Sequence, residues 1–231
     1  MPIAVCHPTP DSLPNRLTRA ARRIAAGLGF ALCLGAAPVA AQAAVINFDD
    51  LACGTGMLIP NGYAGLDWST FGCLDGTAVS SGNSGYNAGR VSGTNVAYNR
   101  NGDPAEFVIT APAGAKFNFN SVYLTGAWND DLVVTIEAYR DAGLVSTTSH
   151  TLSATAPTLV TLNLANIDRV RMTSADGTPH PGYPGSGFHF AMDNLDVGPA
   201  SVTAVPTLSE WSLLLLAMVL GATALHQRRR G

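Results

Sequence analysis

Between Val45 and Val197, apolar residues recur at every second position in short runs separated by Gly, Asn, Asp and Pro. Val45-Ile46-Asn47-Phe48 opens the series, and Phe117 to Thr125 carries Phe117, Phe119 and Val122/Leu124 with polar residues between them. Leu132 to Tyr139 sets Val134, Ile136 and Ala138 on one face. Asp141-Ala142-Gly143 reads as a turn, after which Leu144 to Leu152 returns rich in Thr and Ser. Leu159 to Leu164 and Ile167 to Met172 continue the pattern. The last run places Phe188, Phe190, Met192 and Asn194 on one face and ends near Val197. A period of two over such lengths marks half-buried strands, because successive side chains point to opposite faces of a sheet. This stretch holds no amphipathic helical segment and no fixed-period repeat. It predicts an all-β fold, one β-sandwich.

Gly76 to Gly102 is the exception within the body. It is rich in Gly, Ser, Asn and Thr, with Val79, Tyr86, Val91, Val96, Ala97 and Tyr98 for packing. Arg90–Tyr98 contains a strand candidate. The rest predicts long surface loops, the usual place for a binding site on a sandwich.

Both chain ends depart from the strand period. Arg16, Arg19, Arg22 and Arg23 precede the apolar stretch Ile24–Ala40, and Ala41-Gln42-Ala43 is a small-x-small cleavage pattern. This is the layout of a secretory signal peptide, residues 1–43, cut after Ala43. At the other end, Trp211 to Leu225 holds no charge and six leucines, and the chain closes on Arg228-Arg229-Arg230. As a helix this run is about 22 Å long, and roughly 27–30 Å from Leu208 to Gln227, against a hydrocarbon core of about 30 Å. Apolar all round, it predicts a short transmembrane helix. Trp211 sits at the interface, and Arg228, Arg229 and Arg230 act as a membrane stop holding the C-terminus in the cytoplasm. Residues 44–204 remain as one sandwich domain, with 205–231 as a tail.

Charge sharpens this division. The whole chain has a formal net charge of −3, yet residues 44–205 carry six basic residues against fourteen acids, a balance of −8. An acidic surface repels phosphate, so nucleic acid is excluded as a partner. Cys53 and Cys73 are the two cysteines of the body. In an oxidising compartment such a pair forms a disulfide, worth about 3 kcal/mol for a loop of about 20 residues in the chain-entropy model.

Val205, Pro206, Thr207, Leu208, Ser209, Glu210 and Trp211, followed by the leucine run and the arginines, resemble the IPTL-CTERM sorting signal. This signal is a relative of the PEP-CTERM signals of Gram-negative bacteria. Val205 stands where the family has Ile, and the resemblance covers the tail alone. It implies recognition by an exosortase-type membrane transpeptidase and cleavage near the motif. The body would pass from a transient inner-membrane anchor to the cell surface or an extracellular carrier. The body in turn resembles the jelly-roll sandwiches of carbohydrate-binding modules. The residues that carry this likeness are Ile46-Asn47-Phe48-Asp49-Asp50-Leu51 and Phe190-Ala191-Met192-Asp193-Asn194-Leu195-Asp196-Val197. It implies that the first and last strands lie side by side.

That pairing would bring Asp49, Asp50, Asp193 and Asn194 together as a candidate structural calcium site, since Ca²⁺ takes six to eight oxygens and relieves carboxylate repulsion. The alternative is strand-end acids bonded to turn backbone. Trp128, Asp130 and Asp131 form a candidate ligand contact, an aromatic ring for sugar C–H faces beside carboxylates for hydroxyls. The alternative is a Trp that closes the core edge above a turn. As a glycosidase pair, Asp130 and Asp131 are poorly placed, since adjacent strand residues point to opposite faces. His180 and His189 lack a third metal ligand, and His189 is expected to face solvent. Ser186 lacks the Gly-x-Ser-x-Gly elbow of a hydrolase nucleophile. No catalytic set emerges. The sequence reads as an exported, non-enzymatic surface or matrix protein and exosortase substrate, its body a module for glycan or calcium. A secreted hydrolase or lyase acting on polysaccharide is the alternative.

Overall fold

A computed structural model describes residues 44–78, 82–110, 112–200 and 208–230. The leader, residues 1–43, and the first three motif residues, Val205, Pro206 and Thr207, lie outside the described residues.

The body is a two-sheet β-sandwich. One sheet has the order β11 (Thr158–Ile167), β7 (Phe117–Gly126), β14 (Phe190–Pro199), β5 (Asn95–Asn99), β4 (Phe71–Asp75) and β2 (Met57–Leu58), with β1 (Ala44–Ile46) also on β14. The other has the order β10 (Gly143–Leu152), β9 (Leu132–Arg140), β12 (Arg169–Ala175), β6 (Ala105–Ile109) and β3 (Leu66–Ser69). Two short strands, β8 (Asn129–Asp130) and β13 (Thr178–Pro179), pair beyond the ends of the main sheets. The alternation of apolar positions is what selects this arrangement. Phe119, Leu124, Phe190 and Met192 from the first sheet meet Phe107, Leu132, Ile136 and Met172 from the second, all essentially without solvent exposure. Trp68, Phe71, Phe107 and Phe119 run through this core as neighbouring rings 5.4–6.2 Å apart. Cys53 and Cys73, both buried, form a disulfide that ties the segment after β1 to β4.

The first and last strands do pair, antiparallel, with Ala44 opposite Val197 and Ile46 opposite Leu195. At its other end β14 begins with Phe190 opposite Gly126. Ten residues of strand, about 33 Å, therefore separate two poles. The proximal pole is where the chain enters at Ala44 and leaves at Pro199. The distal pole carries β8, β13 and the loops before β14.

Two expectations about β14 are corrected. Phe188 precedes the strand and is 45% exposed. Asn194 does not share the face of Phe190 and Met192. The register slips between Asp193 and Asp196, and Asn194 takes a left-handed φ of 47°. This bulge shifts the alternation by one, so that Leu195 and Val197 fill the core.

The glycine-rich segment is not a set of free loops. It carries a one-turn helix, α1 (Gly85–Ala88), capped by the Ser84 hydroxyl on the N–H of Tyr86. It lies on the outer face of the larger sheet. There Tyr86 packs with Leu74, Val96, Ala127 and Ala191, flanked by Tyr98 and Trp128. Gly85 is required by this contact, because a Cβ there would collide with the Gly126 carbonyl oxygen.

The tail forms α2 (Leu208–Arg230), with Arg228, Arg229 and Arg230 in its last turn, where the helix dipole favours cations. Among the described residues no helix is long and apolar enough to cross a membrane. From Leu213 to Leu225 the apolar run spans about 20 Å, short of a hydrocarbon core of about 30 Å.

Candidate functional site

Asp49 and Asp193 are both brought to the 91–95 segment, and what they meet there is N–H. Asp49 Oδ2 accepts from the backbone of Gly93 at 2.8 Å, and its Oδ1 accepts from Thr94 and Asn95 at 2.9 and 3.0 Å. Burial opposes ionisation of Asp49, but these bonds outweigh it and hold the carboxyl below its usual range. Asp193 has no solvent exposure. Its Oδ2 accepts from Val91 and Ser92 N–H at 2.6 and 2.9 Å, and its Oδ1 from the Ser92 hydroxyl and Asn194 N–H at 2.9 and 2.7 Å. Asn95 completes the clamp by donating to the carbonyls of Phe48 and Leu51.

The four residues proposed for calcium therefore do not assemble an oxygen shell. Asp49 and Asp193 spend their lone pairs on backbone donors, and Asp50 instead accepts the Tyr63 hydroxyl at 2.6 Å. Asn194 forms the bulge. The donor set does not fit a cation that needs six to eight oxygens. Among the described residues no group of three or more His, Cys, Asp or Glu is placed to hold a metal.

At the distal pole the structure assembles a different cluster. Pairing of β13 with β8 sets Thr178 opposite Asp130, and the chain that follows returns His180 to that carboxylate. His180 Nδ1 lies 2.6 Å from Asp130 Oδ2, and Ala154 N–H donates to Asp130 Oδ1 at 3.2 Å. The His180 bond, followed by the Ala154 bond against a burial cost, holds Asp130 below the usual carboxylate range. The Tyr183 ring sits 4.3 Å from the His180 ring, and its hydroxyl donates to the Ala154 carbonyl at 3.0 Å. Asn83 donates to the Gly182 carbonyl and joins the glycine-rich segment to this strap.

Trp128 is half-buried. Its ring meets Tyr86 edge-on at 5.2 Å, and Tyr86 meets Tyr98 at 5.6 Å. The strap crosses Trp128 at Gly185, where any Cβ would overlap the indole ring. Of the three residues proposed for ligand contact, Trp128 thus closes a small outer core. Asp130 anchors the strap. Asp131, exposed and left-handed at φ 56°, turns the chain into β9.

His189 does not face solvent as expected. It is half-buried with Nδ1 on the Asn99 carbonyl at 3.1 Å, and burial pushes its pKa down. Sequence reasoning missed the His180–Asp130 pair because two-residue strands leave no periodic signal. At the opposite pole two shallow depressions of about 270 Å³ each are lined by residues such as Ala44, Ile46, Leu66, Phe117, Asp50 and Tyr63. Asp50 is the one acid among their lining residues, so neither offers a carboxylate pair.

Residues 203–230 match the IPTL-CTERM motif, which covers the tail and none of the sandwich. No curated protein matches the chain. Among solved structures, it is similar to a DUF4465 family protein from Bacteroides caccae at 12% identity and a TM-score of 0.47, covering 68% of this chain and 98% of that one. It is also similar to the K2 cleaved adhesin domain of Lys-gingipain, at 13% identity and a TM-score of 0.39, covering 69% and 100%. A third is the CBM51 of a Clostridium perfringens GH95 protein in complex with methyl-galactose, at 11% identity and a TM-score of 0.32, covering 67% and 99%. The chain is a β-sandwich that ends in an IPTL-CTERM sorting motif.

Proposed function

We propose that this is an exported, non-enzymatic surface protein whose tail is read by an exosortase-type transpeptidase and whose jelly-roll-like sandwich is the displayed cargo. The observation that carries this reading is the IPTL-CTERM motif at 203–230, followed within its own length by a helix that ends on three arginines. On this reading the tail engages the inner membrane through α2 before processing, although its apolar run of about 20 Å falls short of a full span. Its short apolar run suits a transient anchor better than a permanent one. Cleavage near Pro206 then frees the body. The decisive experiment is intact mass and C-terminal sequencing of protein recovered from the cell surface, with and without the sorting enzyme. Loss of the tail only when the enzyme is present is expected. A tail that is retained at the surface, or lost without the enzyme, overturns the reading.

For the body we infer glycan binding at the distal pole. It lies about 33 Å of strand away from the chain exits and combines the His180 and Tyr183 rings with the polar groups of Asp130 and Asp131. Affinity electrophoresis against neutral and acidic polysaccharides tests this. Retention that falls on Asp131→Ala, a substitution at an exposed turn, supports it, and absence of retention on every polysaccharide counts against it. A hydrolase or lyase is disfavoured at this pole, because Asp130, the acid nearest the cluster's centre, already serves His180 and the Ala154 amide.

A further inference from the structure

The sheet edges of the sandwich are not equivalent. β2 is two residues long, and β3 is overlaid by the 60–65 turn, with Trp68 N–H on the Asn61 side chain at 2.9 Å and Gly62 N–H on the Leu66 carbonyl at 2.9 Å. β11 is broken by two register shifts, with Asn163 and Asn166 left-handed, and the Arg140 guanidinium covers the carbonyls of Ala165 and Asn166. Bulges, brevity and covering groups are the means by which an edge avoids pairing with another chain.

β10 has none of these from Ser146 to Leu152. Its register with β9 is continuous there, and its one shift lies earlier, between Leu144 and Ser146. Gly143–Leu152 contains no Pro, Asp, Glu, Lys or Arg. Thr147, Ser149 and Thr151 are exposed. Among the described residues, no backbone group on the far side of this strand has a hydrogen-bond partner.

We propose that β10 is a self-association edge, through which two copies of this chain pair antiparallel and join their five-stranded sheets into one. Charge permits a second copy as the occupant. The body is strongly acidic, so like copies repel each other except across an uncharged surface. Of the two long edges without charge, β10 and β11, only β10 keeps an unbroken register over seven residues. The strand is also self-complementary. A two-fold axis through Ser149 sets Thr147 opposite Thr151 of the second copy and Ser149 opposite its own counterpart, pairings that favour sheets. Antiparallel pairing points the two chain exits in opposite directions. On the reading of the tail given above, the contact therefore belongs to released protein rather than to two copies anchored in one bilayer.

The test uses the full chain in detergent, followed by sedimentation velocity and mild oxidation. On the two-fold axis, residue 149 faces itself across an antiparallel Cα spacing of about 4.5–5.5 Å, within disulfide reach. In a chain with Cys6 and Cys33 replaced by Ser, Ser149→Cys is expected to give a covalent dimer that neither that parent nor its Thr161→Cys variant on β11 gives. Ser149→Lys, which opposes two cations, is expected to weaken association by about tenfold or more with an unchanged melting temperature. A chain that sediments as a monomer at every concentration overturns the proposal. So does equal cross-linking at 149 and 161, or a dimer that survives Ser149→Lys and is therefore held by α2. None of these outcomes depends on whether the tail is cleaved.

Discussion

Substituting Asp193 distinguishes a backbone clamp from a cation site. In Asp193→Ala, the N–H groups of Val91 and Ser92 and the Ser92 hydroxyl lose their acceptor beneath a covering loop. A donor left unpaired costs about 1–3 kcal/mol when fully buried, which sets a ceiling near 6 kcal/mol for these two part-buried amides. The loop can instead lift and hydrate these groups, and the cost then becomes the lost packing of Tyr86 against Leu74, Val96 and Ala191. The smaller of the two costs prevails, so we expect about 2–4 kcal/mol. For a domain of this size that lowers Tm by about 5–15 °C. Asp193→Asn keeps one acceptor oxygen and should fall between the two. The assay is thermal melting by circular dichroism, with hydrogen exchange at Val91 and Ser92 to localise the effect, each run with and without chelator. The clamp requires that chelator leave Tm unchanged in the unsubstituted protein. A Tm that falls on chelation and recovers with calcium would refute the reasoning, as would an Asp193→Ala variant as stable as the parent.

Two further outcomes follow from the same contacts. Asp49 and Asp130 both have folded pKa values below their ordinary range. The stability they supply is therefore fully present above about pH 4–5 and is lost as pH falls through the lowered folded values. His189, whose pKa burial lowers, adds a smaller loss that begins as pH falls through about 6.5, so melts should decline modestly between pH 7 and 5 and steeply below about 4; a melt that stays flat down to about pH 3 would refute the assignment. Gly185→Ala forces a methyl group into the Trp128 ring and should cost about 1–3 kcal/mol with a red shift in tryptophan emission, since the strap must lift. An unshifted spectrum and unchanged Tm would show that the strap does not rest on the indole.

Much of the sandwich was legible because local alternation reports a local fact, namely which side chains of one strand face the core. Val134, Ile136 and Ala138 lie buried on β9 as their spacing predicts. The Asp141-Ala142 turn and the Cys53–Cys73 bridge are also as expected. Alternation fails where the backbone itself slips, and the left-handed Asn194 turns the face of β14 without any mark in the residue pattern. Composition misled in the glycine-rich segment. Its glycines and serines look like loop chemistry, but they serve close approach to a sheet and donation to the carboxylates of Asp49 and Asp193.

The sequence by itself determined the all-β body, the disulfide and the tail with its motif, helix and arginines, because each rests on neighbours in the chain or, for Cys53, on the one other cysteine of the body. Only the tertiary structure decided what the acids do. Val91 meets Asp193 across 102 residues and His180 meets Asp130 across 50. Such meetings depend on which strands pair and in what register, and that is settled by the packing of two whole sheets rather than by any short run of residues.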